Sequence, residues 1–177
     1  GASGGLGLTD AGRYETFHWR QELPHAPYLV SLIVGKFDHR VLGRLPGGGP
    51  IEVFAPLGQG GGIERTFGRT GDMIAFFGRY LDEPYPWDRY AQLVVHNFSF
   101  GGMENTAATT LHDSTVLDER ALLDGDRDGL VSHELAHQWF GDLLTCRSWE
   151  HIWLNEGFAT YMSHLWFEHR DGADWMV

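Results

Sequence analysis

Residues 131–142, V-S-H-E-L-A-H-Q-W-F-G-D, constrain this chain more than any other stretch. His133 and His137 stand four residues apart, so on a helix of about 3.6 residues per turn they project from one face, one above the other. Two imidazoles so placed can chelate one metal ion. Glu134, between them, points slightly aside, where a carboxylate reaches a water on that metal without becoming a ligand.

This is the H-E-x-x-H pattern of zinc hydrolases. A catalytic Zn²⁺ takes three protein ligands and keeps one position open, and the third ligand is often a carboxylate. The candidate is Glu156, in W-L-N-E-G-F-A, with 18 residues between it and His137. That spacing is enough to end one helix, turn and enter a second packed against it. Its mostly apolar neighbours predict a buried carboxylate, which needs a partner, and a metal supplies one. The expected ligands of one Zn²⁺ per chain are therefore His133, His137 and Glu156.

With these residues the chain resembles the gluzincin aminopeptidases of the aminopeptidase N type. A separate signature upstream, Gly101-Gly102-Met103-Glu104-Asn105, is similar to that family's exopeptidase motif, G-x-M-E-N. The resemblance runs from about residue 28 to the C-terminus. It implies that Glu104 binds the free α-amino group of a peptide substrate, that Gly101, Gly102, Met103 and Asn105 line the cleft, and that Glu134 is the general base. The implied fold is α+β: a mixed sheet plus helices, the front part of a thermolysin-like metallopeptidase domain, preceded by strands of a truncated β domain. Residues 1–40 would end that N-terminal β domain, and residues 41–177 would be the N-terminal part of the zinc peptidase catalytic domain. The resemblance also implies a helical domain of the same polypeptide over the cleft. The family's downstream tyrosine, which stabilises the tetrahedral intermediate, has no counterpart here, because the chain stops 21 residues after Glu156 and Tyr161 lies on the ligand's own helix. Two other classes stay open. One is a zinc-binding but inactive fragment or interaction module; the other is a gluzincin endopeptidase, for which the second motif would have no use.

Composition sets bounds on partners. A net charge of -11 argues against nucleic acid and against an anionic membrane surface. A hydrophobic content of 42% supports a core, while no apolar run approaches the roughly 18 residues of a membrane-inserted helix. Cys146 is the single cysteine, so the fold rests on packing and metal without an intrachain disulfide. Residues 1–5 lack the charged start and apolar core of a signal peptide, and read as a loop, a cloning remnant or the cut end of a longer protein. The compartment stays open, with a soluble, cytoplasmic location slightly favoured.

Along the chain, alternation predicts a strand over 13–20, and the β-branched run 28–35 predicts a buried strand, with a domain boundary at 37–43. Strands are expected over 51–55 and 91–96, and a packing helix over 63–81 that Gly68 and Gly71 weaken. The glycine clusters near residues 47 and 60 lack the lysine of a phosphate loop and read as connections. The paired glycines after the second strand suit an edge strand that grips a peptide by its main chain. Residues 124–129, D-G-D-R-D-G, open like a calcium loop, but the acid needed at loop position twelve would fall on Leu135, so a solvated acidic turn capping the next helix is expected. A second long helix is expected over 149–169. His18, His96, His112, His151, His164 and His169 are expected to be structural or exposed.

Overall fold

The computed structural model describes residues 3–9 and 12–176. Strands β1 (Ser3–Thr9) and β2 (Gly12–His18) form an antiparallel pair of their own. Gly1 and Ala2, part of the expected N-terminal loop, lie outside the described residues, and Ser3 to Gly5 belong to β1.

The main sheet has five strands: β3 (Phe37–Arg44), β4 (Pro50–Pro56), β5 (Tyr90–Val95), β6 (Gly102–Met103) and β7 (Ala108–His112). Their order is β3-β4-β5-β7-β6. The pairs β4/β5 and β5/β7 are parallel, while β3/β4 and β6/β7 are antiparallel, so the sheet is mixed as expected. Strands β4 and β5 sit inside it and are buried along most of their length. Two-residue β6 sits at the edge, with one side unpaired among the described strands. The division expected at residues 40–41 falls within β3.

Four helices complete the α+β arrangement: α1 (Ile63–Phe67), α2 (Thr70–Leu81), α3 (Asp128–Ala136) and α4 (Trp153–Asp171). Val53 and Val94 of the sheet share one core with Phe67, Phe77, Leu135, Met162 and Trp166 of the helices. The expected helix over 63–81 is two helices, because Gly68 interrupts it. A methyl group at Gly68 would lie 2.5 Å from the Glu64 carbonyl oxygen, so the chain turns tightly there. The expected helix over 149–169 starts later, at Trp153, after a 3₁₀ turn at Trp149–His151, and runs on to Asp171.

The run 28–35 is not a buried strand. It begins with a 3₁₀ turn at Pro27–Leu29 and continues without regular structure. Leu29 is buried, but Leu32 and Val34 are 87% and 88% exposed. β-branched composition permits a strand without requiring one, and this run pairs with no strand although β3 keeps one side unpaired among the described strands. The acidic turn also differs from expectation. Asp126 is half-buried and Asp128, which opens α3, is buried; both are ion-paired to Arg69 and Arg170 rather than solvated. Among the described residues no helix is long and apolar enough to cross a membrane.

Candidate metal and peptide site

Helices α3 and α4 pack through Val131, Leu135, Ala159 and Met162, and the register is fixed by polar contacts within that apolar seam. Ser132 and Ser163 hydroxyls lie 2.9 Å apart, and Ser163 also donates to the Gly129 carbonyl at 3.1 Å. This packing sets His133 and Glu134 of α3, and His137 just past its end, opposite Glu156 in the first turn of α4.

Three atoms then converge. His133 Nε2 and His137 Nε2 are 3.1 Å apart, and Glu156 Oε2 lies 3.3 Å from the first and 3.5 Å from the second. Tetrahedral ligands at Zn–N and Zn–O distances of about 2.0–2.1 Å are separated by about 3.3–3.4 Å. The donor triangle therefore fits Zn²⁺. The chemistry of the donors agrees: His137 Nδ1 is 2.8 Å from the Phe140 carbonyl, so it carries the proton and leaves the Nε2 lone pair for a metal. Gly141 makes that turn possible. Its φ of 137° is a backbone conformation that side chains disfavour, and a methyl group there would sit 3.2 Å from His137 Nδ1.

Glu156 departs from expectation in one respect, since its side chain is 51% exposed rather than buried. The aromatic neighbours that suggested burial, Trp153, Phe158 and Tyr161, are exposed with it on the same stretch of α4. Its partner logic comes from the two imidazoles: hydrogen bonding from His137, with the charges of both histidines, holds its pKa below the usual carboxylate value. Burial and the neighbouring His137 lower the pKa of His133. At His137 burial also opposes charge, but hydrogen bonding to Glu156 and the negative charges of Glu104 and Glu134 outweigh it and raise the pKa.

Glu134 is buried, and desolvation pushes its pKa up to about 8, with Glu104 and Glu156 adding to the rise. A positive charge held by the donor triangle would draw that value down. The Glu134 carboxylate faces β6, since a methyl group built on Gly102 would fall 2.2 Å from its Oε1. The Gly101 carbonyl accepts the His112 N–H at 3.0 Å, so Gly101 turns its main-chain groups toward β7 and Gly102 turns its own toward the free edge. Glu104, Glu134 and His137 have donor atoms within 4.8 Å of one another. Two buried carboxylates thus flank the imidazoles beside a strand edge with main-chain groups free.

The rest of the second motif is held by residues that sequence reasoning did not single out. Buried Gln138 accepts from the Ala107 N–H at 2.8 Å and donates to the Glu104 carbonyl at 3.2 Å, tying the end of α3 to the loop after β6. Asn105 is buried, donating to the Leu29 carbonyl and accepting from Thr110. Met103 pairs with Thr110 in β6/β7. Asp142 is also unanticipated: it is buried, and burial together with the Glu104 charge pushes its pKa to about 9, against a lowering contribution from the Thr106 hydroxyl. No periodicity or spacing marks Gln138 or Asp142; only their position directly after H-E-L-A-H does. His96 and His112, expected to lie outside the ligand set, pair with Asp113 instead.

Comparisons with known proteins place the chain in a family. Aminopeptidase M1-C of Oryza sativa subsp. japonica is 36% identical over 161 residues, covering 89% of this chain and 18% of the rice protein. Aminopeptidase N of Canis lupus familiaris is 37% identical over 155 residues, covering 84% of this chain and 15% of the dog protein, and aminopeptidase N of Homo sapiens is 35% identical over the same extent. The chain thus spans less than a fifth of the length of the relatives it matches. The sequence pattern described as "Peptidase family M1 domain" matches residues 65–177, which include both motifs, and the chain belongs to that peptidase family.

Proposed function

We propose that this chain carries the zinc and substrate-amine end of an aminopeptidase site, one that hydrolyses the N-terminal bond of peptides. The carrying observation is the donor triangle of His133, His137 and Glu156 set beside buried Glu134 and Glu104 at the free edge of β6. Zn²⁺, when bound, supplies Lewis acidity, which lowers the pKa of coordinated water to about 7 and polarises a carbonyl. Glu134 takes the proton from the attacking water and delivers it to the leaving amine. Gly102 pairs with the substrate main chain through its outward N–H and C=O. Glu104 receives the substrate ammonium and so limits cleavage to the first bond. Gly101, Met103 and Asn105 hold that strand and its carboxylate in place. In this reading the strands through about residue 40 end an N-terminal β domain, and a helical part of the same polypeptide covers the exposed aromatic stretch of α4.

The chain should bind about one Zn²⁺. Metal analysis after dialysis checks this, with the double variant His133→Ala/His137→Ala expected to retain none. Full retention by that variant would remove the assignment.

Glu104 should confer exopeptidase behaviour. A charge-assisted contact between a carboxylate and an ammonium contributes about 1.5–3 kcal/mol, or roughly ten- to a hundredfold. In a complete enzyme, Glu104→Ala should therefore lower hydrolysis of amino-acid β-naphthylamides by that factor, narrowing their advantage over N-acetylated forms. Equal losses on both substrates would reduce Glu104 to a structural residue and favour an endopeptidase.

A further inference from the structure

A pocket borders the second motif at Gly101. Its volume is about 360 Å³, and it opens between the start of β6 and the first turn of α3, lined by Gly101, Ser114, Arg127, Gly129, Leu130 and Phe167 among others. We propose that Arg127, on the wall of this pocket, receives the C-terminal carboxylate of a short peptide whose residues after the cleaved bond reach it. The proposal deepens the aminopeptidase reading and rests on it.

Direction comes from β6. Glu104 follows Gly102 along the chain, and Gly102 is the residue set against the Glu134 carboxylate. A peptide whose ammonium meets Glu104 and whose first bond lies at Gly102 must run antiparallel to β6, toward Gly101. Gly101 borders the pocket, where a methyl group on it would lie 3.5 Å from Leu130 Cδ1. Leu130 and Phe167 give the pocket apolar walls suited to a side chain.

Distance selects the length of the ligand. Arg127 precedes Glu134 by seven residues, roughly 10 Å at the helical rise of about 1.5 Å per residue. An extended peptide advances about 3.3 Å per residue, so two residues past the bond cover much of that distance and the guanidinium arm bridges the rest. A tripeptide fits.

Charge selects the chemistry. Arg127 is exposed, donates to the Ser114 carbonyl at 3.3 Å, and forms no ion pair among the described residues. Asp126 also borders the pocket, but its Oδ2 is bound by Arg69 at 3.0 Å and Arg170 at 2.6 Å, and its Oδ1 by the Asp128 N–H at 3.1 Å. Its charge is thereby answered inside the protein, and Arg127 is the pocket's exposed charged residue with no acidic partner among the described residues. A guanidinium fork so placed matches a carboxylate.

The test is an NMR titration of the zinc-loaded Glu134→Gln chain, used so that peptide is not consumed, with trialanine, its C-terminal amide and its N-acetyl form. Amidation should weaken binding about five- to tenfold, the Gly101 and Leu130 amide signals should respond to the peptide, and Arg127→Gln should abolish the difference between acid and amide. Equal binding of acid and amide, or a difference that survives Arg127→Gln, would overturn the proposal. The N-acetyl form reports on the other reading: if blocking the amine leaves binding unchanged, the aminopeptidase assignment fails, whereas the acid-to-amide comparison is read separately.

Discussion

In a complete version of the enzyme, Glu134→Gln should keep its zinc and lose hydrolysis by about a hundred- to ten-thousandfold, the usual contribution of a general base. Glutamine has nearly the shape of glutamate, so the packing of the α3 face that Glu134 shares with Gly102 is preserved. What changes is basicity, since an amide cannot take the proton of an attacking water. Metal retention follows from geometry: the donor triangle is made by His133, His137 and Glu156, and Glu134 is not part of it. Burial raises the Glu134 pKa to about 8, and a positive charge held by the donor triangle would lower it toward the range in which the carboxylate is ionised and can take a proton. The check is turnover of an alanyl or leucyl arylamide alongside metal content, both for parent and variant. A variant within tenfold of the parent would require a different base.

What could be read in advance follows from the range over which each interaction acts. His133, Glu134 and His137 were legible because helical periodicity alone places them, and Glu156 because its spacing fits a second helix and its context repeats a known motif. The burial of Glu156 was not legible. Aromatic neighbours signal a core only when another element covers them, and Trp153, Phe158 and Tyr161 stand exposed in the described structure. Residues 28–35 show a related limit, since β-branched composition describes what could pair in a sheet and not whether it does. Gln138 shows a different limit. Its side-chain hydrogen bonds reach 31, 34 and 53 residues back along the chain, and nothing in local pattern records such partners. The arginines that neutralise Asp126 and Asp128 are further apart still, between 42 and 59 residues, so an acidic turn was expected to be solvated when it is in fact an anchor.

That anchor carries the largest expected effect on stability: Asp128→Ala should cost about 3–5 kcal/mol, the range for removing one partner of a buried ion pair. Asp128 is 1% exposed and accepts from four donors: Arg69 Nε at 2.6 Å, Arg69 Nη2 at 2.9 Å, Arg170 Nη1 at 2.7 Å and Trp166 Nε1 at 3.0 Å. It thereby joins the residue before α2, the first turn of α3 and the last part of α4. Truncation leaves the indole N–H without its acceptor and brings two guanidiniums together with less negative charge between them. Arg69 remains 41% exposed, and Asp126 and Asp171 still pair with the arginines, so water and these carboxylates recover part of the loss and the lower end of the range is expected. Asp128→Asn keeps the shape and some hydrogen bonds but loses the charge, and should fall between parent and alanine. Urea denaturation of the three proteins, with and without Zn²⁺, measures this. Zinc binds the folded state through α3 and α4 and should raise every midpoint, so a defect that persists in zinc-free protein belongs to the anchor and not to the metal site. Because domains are stable by only about 5–15 kcal/mol, a loss of this size should be plain in the midpoint. A loss under about 1 kcal/mol would mean that the network behaves as a surface ion pair and that apolar packing alone aligns the two helices bearing the metal donors.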